Sequence, residues 1–205
     1  MPMPLDHGSR LVLASGSPFR KALLQAAGIE FETLPADIDE RAVEQPVRES
    51  GATPDEIATA LALAKGRSVS SLRPTDFIIG CDQVMSMDGV LFHKCASLDD
   101  ARAQLASMRG RTHRLSSGMA IVRNDEVLWS HVSAANMTFR NFSDAFLDGY
   151  MDRAGGKVLL SVGAYQYEGL GQQLFEKVEG DYFTIIGLPM LPLLAALRDL
   201  GIIHG

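Results

Sequence analysis

A chain of 205 residues has room for one large domain or two small lobes around a substantial core. Hydrophobic residues at 46% and charged residues at 21% are those of an ordinary globular protein, and the net charge of −6 argues against the broad basic face that a nucleic-acid polymer requires. A free nucleotide needs only a local basic pocket and stays allowed. No apolar run reaches membrane-spanning length and the first ten residues lack an apolar signal core, so a cytoplasmic protein with no membrane partner is expected. Cys81 and Cys95 lack zinc-ligand spacing and are expected as thiols.

Residues 1 to 9 read as a loose polar tail. The stretch LVLASGSPFRK that follows reads as a strand (Leu11 to Leu13), a hydroxyl-rich turn (Ser15, Gly16, Ser17) and a helix opened by Pro18 and running from Phe19 to Ala27. Backbone N–H groups at such a helix start welcome an anion. Arg20 and Lys21 add cations where the helix dipole disfavours them, which suits a polyphosphate partner. An ordinary strand-to-helix connection with two solvated cations is the competing reading. No Walker loop occurs.

Ile29 to Leu34 alternates like a half-buried strand and runs into the carboxylates Asp37, Asp39 and Glu40. These read first as a solvated loop, with Glu40 as a candidate oxygen ligand for a divalent cation. Thr53, Pro54 and Glu56 form a capping box for a long helix that carries Lys65 near its end, there either for the dipole or for a phosphate. Phe77 to Ile79 reads as a short buried strand running on through Asp82 and Gln83 to Val84. A carboxylate at the end of so apolar a strand is costly unless paired or metal-bound, so a functional role is favoured for Asp82.

Asp88-Gly89 signals a hairpin joining Val84–Met87 to Val90–Phe92, with Lys94 just beyond. A helix over Ser97–Met108 stops at Gly110, and two long strands, Arg111–Arg123 and Glu126–Phe139, meet at an Asn124-Asp125 turn. Ser143 caps a helix over Asp144–Arg153. The last third is glycine-rich, sets Glu168 beside Gly169 and Gly171, and ends in an apolar helix after Pro189. A smaller central lobe, roughly 85 to 150, beside a lobe made from both ends is the one plausible division.

The blocks LASGSPFRKALL, ADIDER, IIGCDQV, the lysine after the hairpin, GAYQYEGLG and GDYFTIIGLPMLPLL, in this order, resemble the Maf family of septum formation inhibitor-like nucleotide pyrophosphatases. The resemblance implies a single domain over 1–205, an α/β fold with a central twisted mixed sheet flanked by helices, and a nucleotide cleft between two lobes. It implies metal-dependent attack of water on a nucleoside triphosphate, releasing the monophosphate and pyrophosphate. Carried over position by position, Ser15, Ser17 and Arg20 would hold phosphates, with Lys21 beside them, and Lys65 and Lys94 would complete a positive collar. Glu40 and Asp82 would hold the metal, Mg²⁺ before Mn²⁺ or Co²⁺, and Asp82 would accept the proton. A homodimer is a family expectation.

Phe19, Gln83 and Glu168 stand where the thymidine and uridine triphosphate enzymes of the family carry Arg, Thr and Gln, and this trio resembles the subgroup acting on 7-methyl-GTP. The chemistry agrees, because a cationic methylated guanine suits an aromatic face and a carboxylate. A dTTP, UTP or broad-range pyrophosphatase and a nucleotide-binding regulator of cell division are the alternatives. The usual Gly-Lys-Pro around the central lysine reads His93-Lys94-Cys95 here.

Overall fold

The computed structural model describes residues 9–204, so most of the expected N-terminal tail lies outside the described residues. The elements run β1 (Leu11–Leu13), α1 (Pro18–Ala26), β2 (Glu32–Thr33), α2 (Glu40–Glu49), α3 (Pro54–Leu72), β3 (Phe77–Met87), β4 (Val90–Phe92), α4 (Leu98–Ser107), β5 (Thr112–Arg123), β6 (Glu126–Phe139), α5 (Asp144–Ala154), β7 (Phe175–Glu179), α6 (Tyr182–Ile186) and α7 (Met190–Asp199). The strands form one seven-stranded sheet in the order β2-β1-β3-β5-β6-β7, with β4 on the free edge of β3. β1 is parallel to β2 and β3, and the remaining pairings are antiparallel. This is the mixed α/β sheet the sequence leads one to expect.

The helix starts follow from local chemistry. Ser17, Thr53, Ser97 and Ser143 each accept a backbone N–H of the first turn, and Thr53 with Glu56 completes the capping box. Two expectations need correction. The acidic segment is a solvated loop only in part: Asp37 is exposed in a loop, but Asp39 Oδ1 accepts from Arg41 N at 3.0 Å and Ala42 N at 3.1 Å, so it caps α2, and Glu40 is that helix's first residue. The strand expected over 29–34 pairs only at Glu32–Thr33, because β1 offers just Val12 and Leu13 as partners there.

β3 is longer than its sequence suggests, and its register creates the site. Its first residues pair with β1 (Leu13 with Ile79) and its last with β4 (Met85 with Phe92). Between them the chain of β1 turns away into α1, leaving one edge of β3 free from Gly80 to Val84. Ligands of open α/β sheets gather where a strand end leaves such an opening.

Two hydrophobic cores flank this opening. One joins β1, α1, the start of β3 and α7, through Leu11, Leu13, Leu24, Ile79, Leu193 and Leu197. The other joins the end of β3, α4, α5 and the segment leading to β7, through Met85, Leu105, Phe139, Leu147 and Leu174. β3 and β5 cross both. On the opposite face, α3 lies directly against the sheet, which two glycines make possible. A Cβ on Gly80 would sit 2.1 Å from Ala62 O, and one on Gly118 would sit 2.4 Å from Ala58 O. No helix among the described residues is long and apolar enough to cross a membrane.

Candidate active site

The cleft between the two cores has a volume of about 680 Å³, within the range of about 300–1,000 Å³ usual for small-molecule sites. Ser15, Ser17, Phe19, Arg20, Glu40, Lys65, Asp82, Gln83, Lys94 and Glu168 all line it. Lys21 does not. It is exposed on the other side of α1 and borders a separate shallow depression with Gln25, Glu30 and Phe31, since a residue next to Arg20 on a helix points about 100° away from it.

The turn after β1 is tied by its hydroxyls. Ser15 Oγ accepts from Ser17 N at 3.2 Å, and Ser17 Oγ caps α1 by accepting from Arg20 N at 3.4 Å. Arg20 is more anchored than a free phosphate ligand would be. Its Nε donates to Gly187 O at 2.9 Å, and its Nη1 donates to Cys81 O at 3.1 Å and Ser15 Oγ at 3.3 Å. One guanidinium thus ties the turn to the free edge of β3 and to the loop before α7. Gly187 sits at φ 93, a left-handed backbone that favours glycine, and a Cβ there would stand 3.2 Å from Arg20 Nη2 and press on the guanidinium.

Asp82 sits on that free edge with its carboxyl buried. Lys65 of α3 reaches it: Nζ donates to Asp82 Oδ1 and lies 2.7 Å from Glu40 Oε1. One ammonium therefore meets two carboxylates from two different elements. Burial is the largest influence on Asp82 and pushes its carboxyl above the usual value, against the pull of Lys65 and Arg20. Burial also works against the Lys65 ammonium, but the Asp82 and Glu40 charges outweigh it and raise Lys65. For Glu40, burial is again the largest influence, yet the bond and charge of Lys65, with Lys94 and Arg20 further off, hold its carboxyl below the usual range.

The donor set fits a divalent cation. Glu40 and Asp82 turn hard oxygens toward one cation-binding point, the one the ammonium of Lys65 occupies. Among the described residues no cluster of three His, Cys, Asp or Glu side chains could ligate a metal alone. Two carboxylates alone leave the remaining ligands of such a cation to substrate phosphates and water.

Gln83 is fixed by its amide. Nε2 donates to Ser117 Oγ at 2.9 Å, Thr184 O at 3.0 Å and Ile185 O at 3.1 Å. Two of those acceptors are carbonyls, so the nitrogen must face them and Oε1 is left as the acceptor for a ligand. Phe19 is half-buried at the start of α1, and Glu168 is exposed on the loop opposite.

Sequence reasoning missed part of the lining. Arg41 and Glu44 enter the cleft from α2, and Glu44 Oε1 lies 3.6 Å from His93 Nε2. The signal was present in Asp39 as an N-cap and in the spacing of Glu40, Val43, Glu44 and Val47. Leu160, Val162 and Tyr167 also line the cleft and went unremarked.

The family profile described as "Maf-like protein" matches residues 10–200. The chain belongs to the Maf family. Among Maf relatives, the "7-methyl-GTP pyrophosphatase" of Mesorhizobium japonicum is 53% identical over 196 residues, covering 96% of this chain and 98% of that protein. The protein of the same description from Brucella abortus is 55% identical with the same coverage. A "Nucleoside triphosphate pyrophosphatase" of Nitrobacter winogradskyi is 51% identical over 199 residues, covering 96% and 97%. The Maf blocks named above hold the Ser15–Ser17 turn, the Asp82 edge and the Glu168 loop of the cleft.

Proposed function

We propose that this Maf protein hydrolyses 7-methyl-GTP to the monophosphate and pyrophosphate. The observation that carries the reading is that one cleft brings together Asp82, buried on Lys65, and Arg20, bonded to the same strand edge at Cys81 O, with Phe19, Gln83 and Glu168 in its lining. The relatives described as 7-methyl-GTP pyrophosphatases, more than half identical over nearly the whole chain, support it.

The roles follow from the chemistry. Arg20, Lys65 and Lys94, with the hydroxyls of Ser15 and Ser17, receive the triphosphate and spread its charge. A divalent cation held by Glu40 and Asp82 supplies further neutralisation of the phosphate oxygens when bound. Asp82 accepts the proton of the attacking water, a task helped by a carboxyl whose basicity burial has increased. Phe19 offers its face to the cationic purine, Glu168 balances the charge of that ring, and Gln83 Oε1 accepts from an N–H at the guanine edge. Lys21 has no part.

A broader nucleoside triphosphate substrate range is the second reading, favoured by the Nitrobacter relative's description. The test is pyrophosphate release with Mg²⁺ from 7-methyl-GTP, GTP, dTTP, UTP and CTP, beside a Phe19→Arg/Gln83→Thr/Glu168→Gln variant. Preference for 7-methyl-GTP that the variant loses is expected. Equal rates across the panel would favour the broader range, and binding without release would favour a regulator.

A further inference from the structure

His113 lies on β5, outside the cleft and 1% exposed, in a setting built from aromatic rings. Phe139 meets it edge-on at 5.1 Å between centroids, with Tyr165 at 5.6 Å and Phe175 at 6.0 Å. Its Nε2 is 2.7 Å from the Tyr165 hydroxyl, and its Nδ1 has no partner among the described residues. The tautomer follows from this network. Tyr165 can give its own hydrogen to Met137 Sδ at 3.4 Å. A hydrogen on Nδ1 would be a buried donor with nothing to receive it, so the hydrogen belongs on Nε2 and His113 donates to Tyr165.

Tyr165 is in turn the anchor of the loop that carries Glu168. Its N donates to Ser161 Oγ at 3.1 Å, and that hydroxyl donates to Tyr165 O. The chain bends around its ring so closely that a Cβ on Gly163 would lie 2.3 Å from it, and Ala164 takes a left-handed φ of 57 to make the bend. The next turn closes on Gln166 O, which accepts from Gly169 N at 3.2 Å and Gly171 N at 3.1 Å, with Glu168 held between. The rest of the turn is open, since Glu168, Gly169 and Leu170 are exposed.

We infer that His113 is a positioning residue for the nucleobase end of the cleft: its hydrogen bond fixes Tyr165, and Tyr165 sets the loop that presents Glu168. The inference rests on the reading of Glu168 as a base contact. A hydrogen bond in a dry aromatic setting is directional, so it fixes the rotation of the Tyr165 ring where packing alone would tolerate a family of poses. Phe at 165 would fill the space and leave the loop free to shift.

The experiment compares Tyr165→Phe, His113→Leu and His113→Gln in the full chain, reading amide hydrogen exchange and steady-state kinetics. In Tyr165→Phe and His113→Leu, exchange at Gly169 and Gly171 is expected to speed up about tenfold while amides of β5 keep their protection. KM for 7-methyl-GTP is expected to rise about fivefold with kcat held, the pattern of lost substrate binding. His113→Gln, whose Nε2 can still donate, should recover both. Exchange unchanged in the loop, or faster equally in β5, would overturn the inference and leave His113 a core residue only. If His113→Leu fails to fold, Tyr165→Phe, which keeps the ring, decides. Should the wild type prefer another nucleotide, the base reading of Glu168 falls, and the exchange rates still judge whether His113 sets the loop.

Discussion

Lys65 and Asp82 join helix α3 to the free edge of β3 inside the cleft, with Glu40 of α2 on the same ammonium. Breaking this pair separates chemistry from binding. Asp82→Asn keeps the shape and removes the proton acceptor, so kcat should fall by about 10²–10⁴ while nucleotide affinity, read by calorimetry without added divalent metal, is not weakened. Unchanged turnover would remove Asp82 from its role. Lys65→Met leaves two carboxylates facing each other without their counter-charge and should weaken both nucleotide binding and folding.

The pair exists only because α3 sits on the sheet at the distance glycine allows. Gly80→Ala puts a Cβ into the Ala62 carbonyl, so the helix must lift. A loss of roughly 1–3 kcal/mol in unfolding free energy is expected, with a disproportionate drop in kcat because Lys65 moves off Asp82. Chemical denaturation and turnover on the same sample check it. Gly118→Ala, under the preceding turns of α3, should match its cost in stability.

Lys21 on α1 should behave oppositely to Lys94 across the cleft. Lys21→Ala should leave kcat/KM within about twofold, as surface changes away from a site do. Lys94→Ala removes a charge from the cleft and should raise KM for every triphosphate alike, since a point charge on phosphate carries no base preference. A strong effect of Lys21 on KM would overturn the assignment of the phosphate side.

Burial holds His113 down to about 4, against an ordinary value of 6.5. The unfolded chain therefore takes up a proton at His113 that the folded one refuses. Stability contributed here is full above the unfolded value and is lost as pH falls from about 6.5 toward 4, a span worth up to roughly 3 kcal/mol. Thermal midpoints of wild type and His113→Gln between pH 7 and 4 test this, the variant being expected to show the shallower acid slope.

Much of the site is legible in the chain because its signals are local. Ser17, Thr53 and Ser143 announce their helices by capping chemistry, and Asp82 stands out as a charge in an apolar strand. What escapes is set by distance in sequence. Nothing around Arg20 reveals that Gly187 O and Cys81 O will claim its guanidinium, and Lys65 beside Gly66 gives no hint of Asp82 until α3 packs down. α2 is poorly marked in the chain, since it holds Pro46 in its second half, a residue unfavourable inside helices, and only Asp39 signals its start. The length of β3 escaped as well, since its partners change from β1 to β4 along the way.

That change of partners has a mechanical consequence. β3 and β5 pass unbroken beneath the cleft, hydrogen-bonded to each other from Ile78 with Val122 to Ser86 with Arg114. The two sides of the cleft therefore share a stiff ribbon as their floor, and they cannot swing apart on a flexible connector. They can approach only by a small added twist of that ribbon. Such a binding surface is shaped before its ligand arrives, so little of the binding energy goes into reorganising it, and fine fit is left to the loops along its rim.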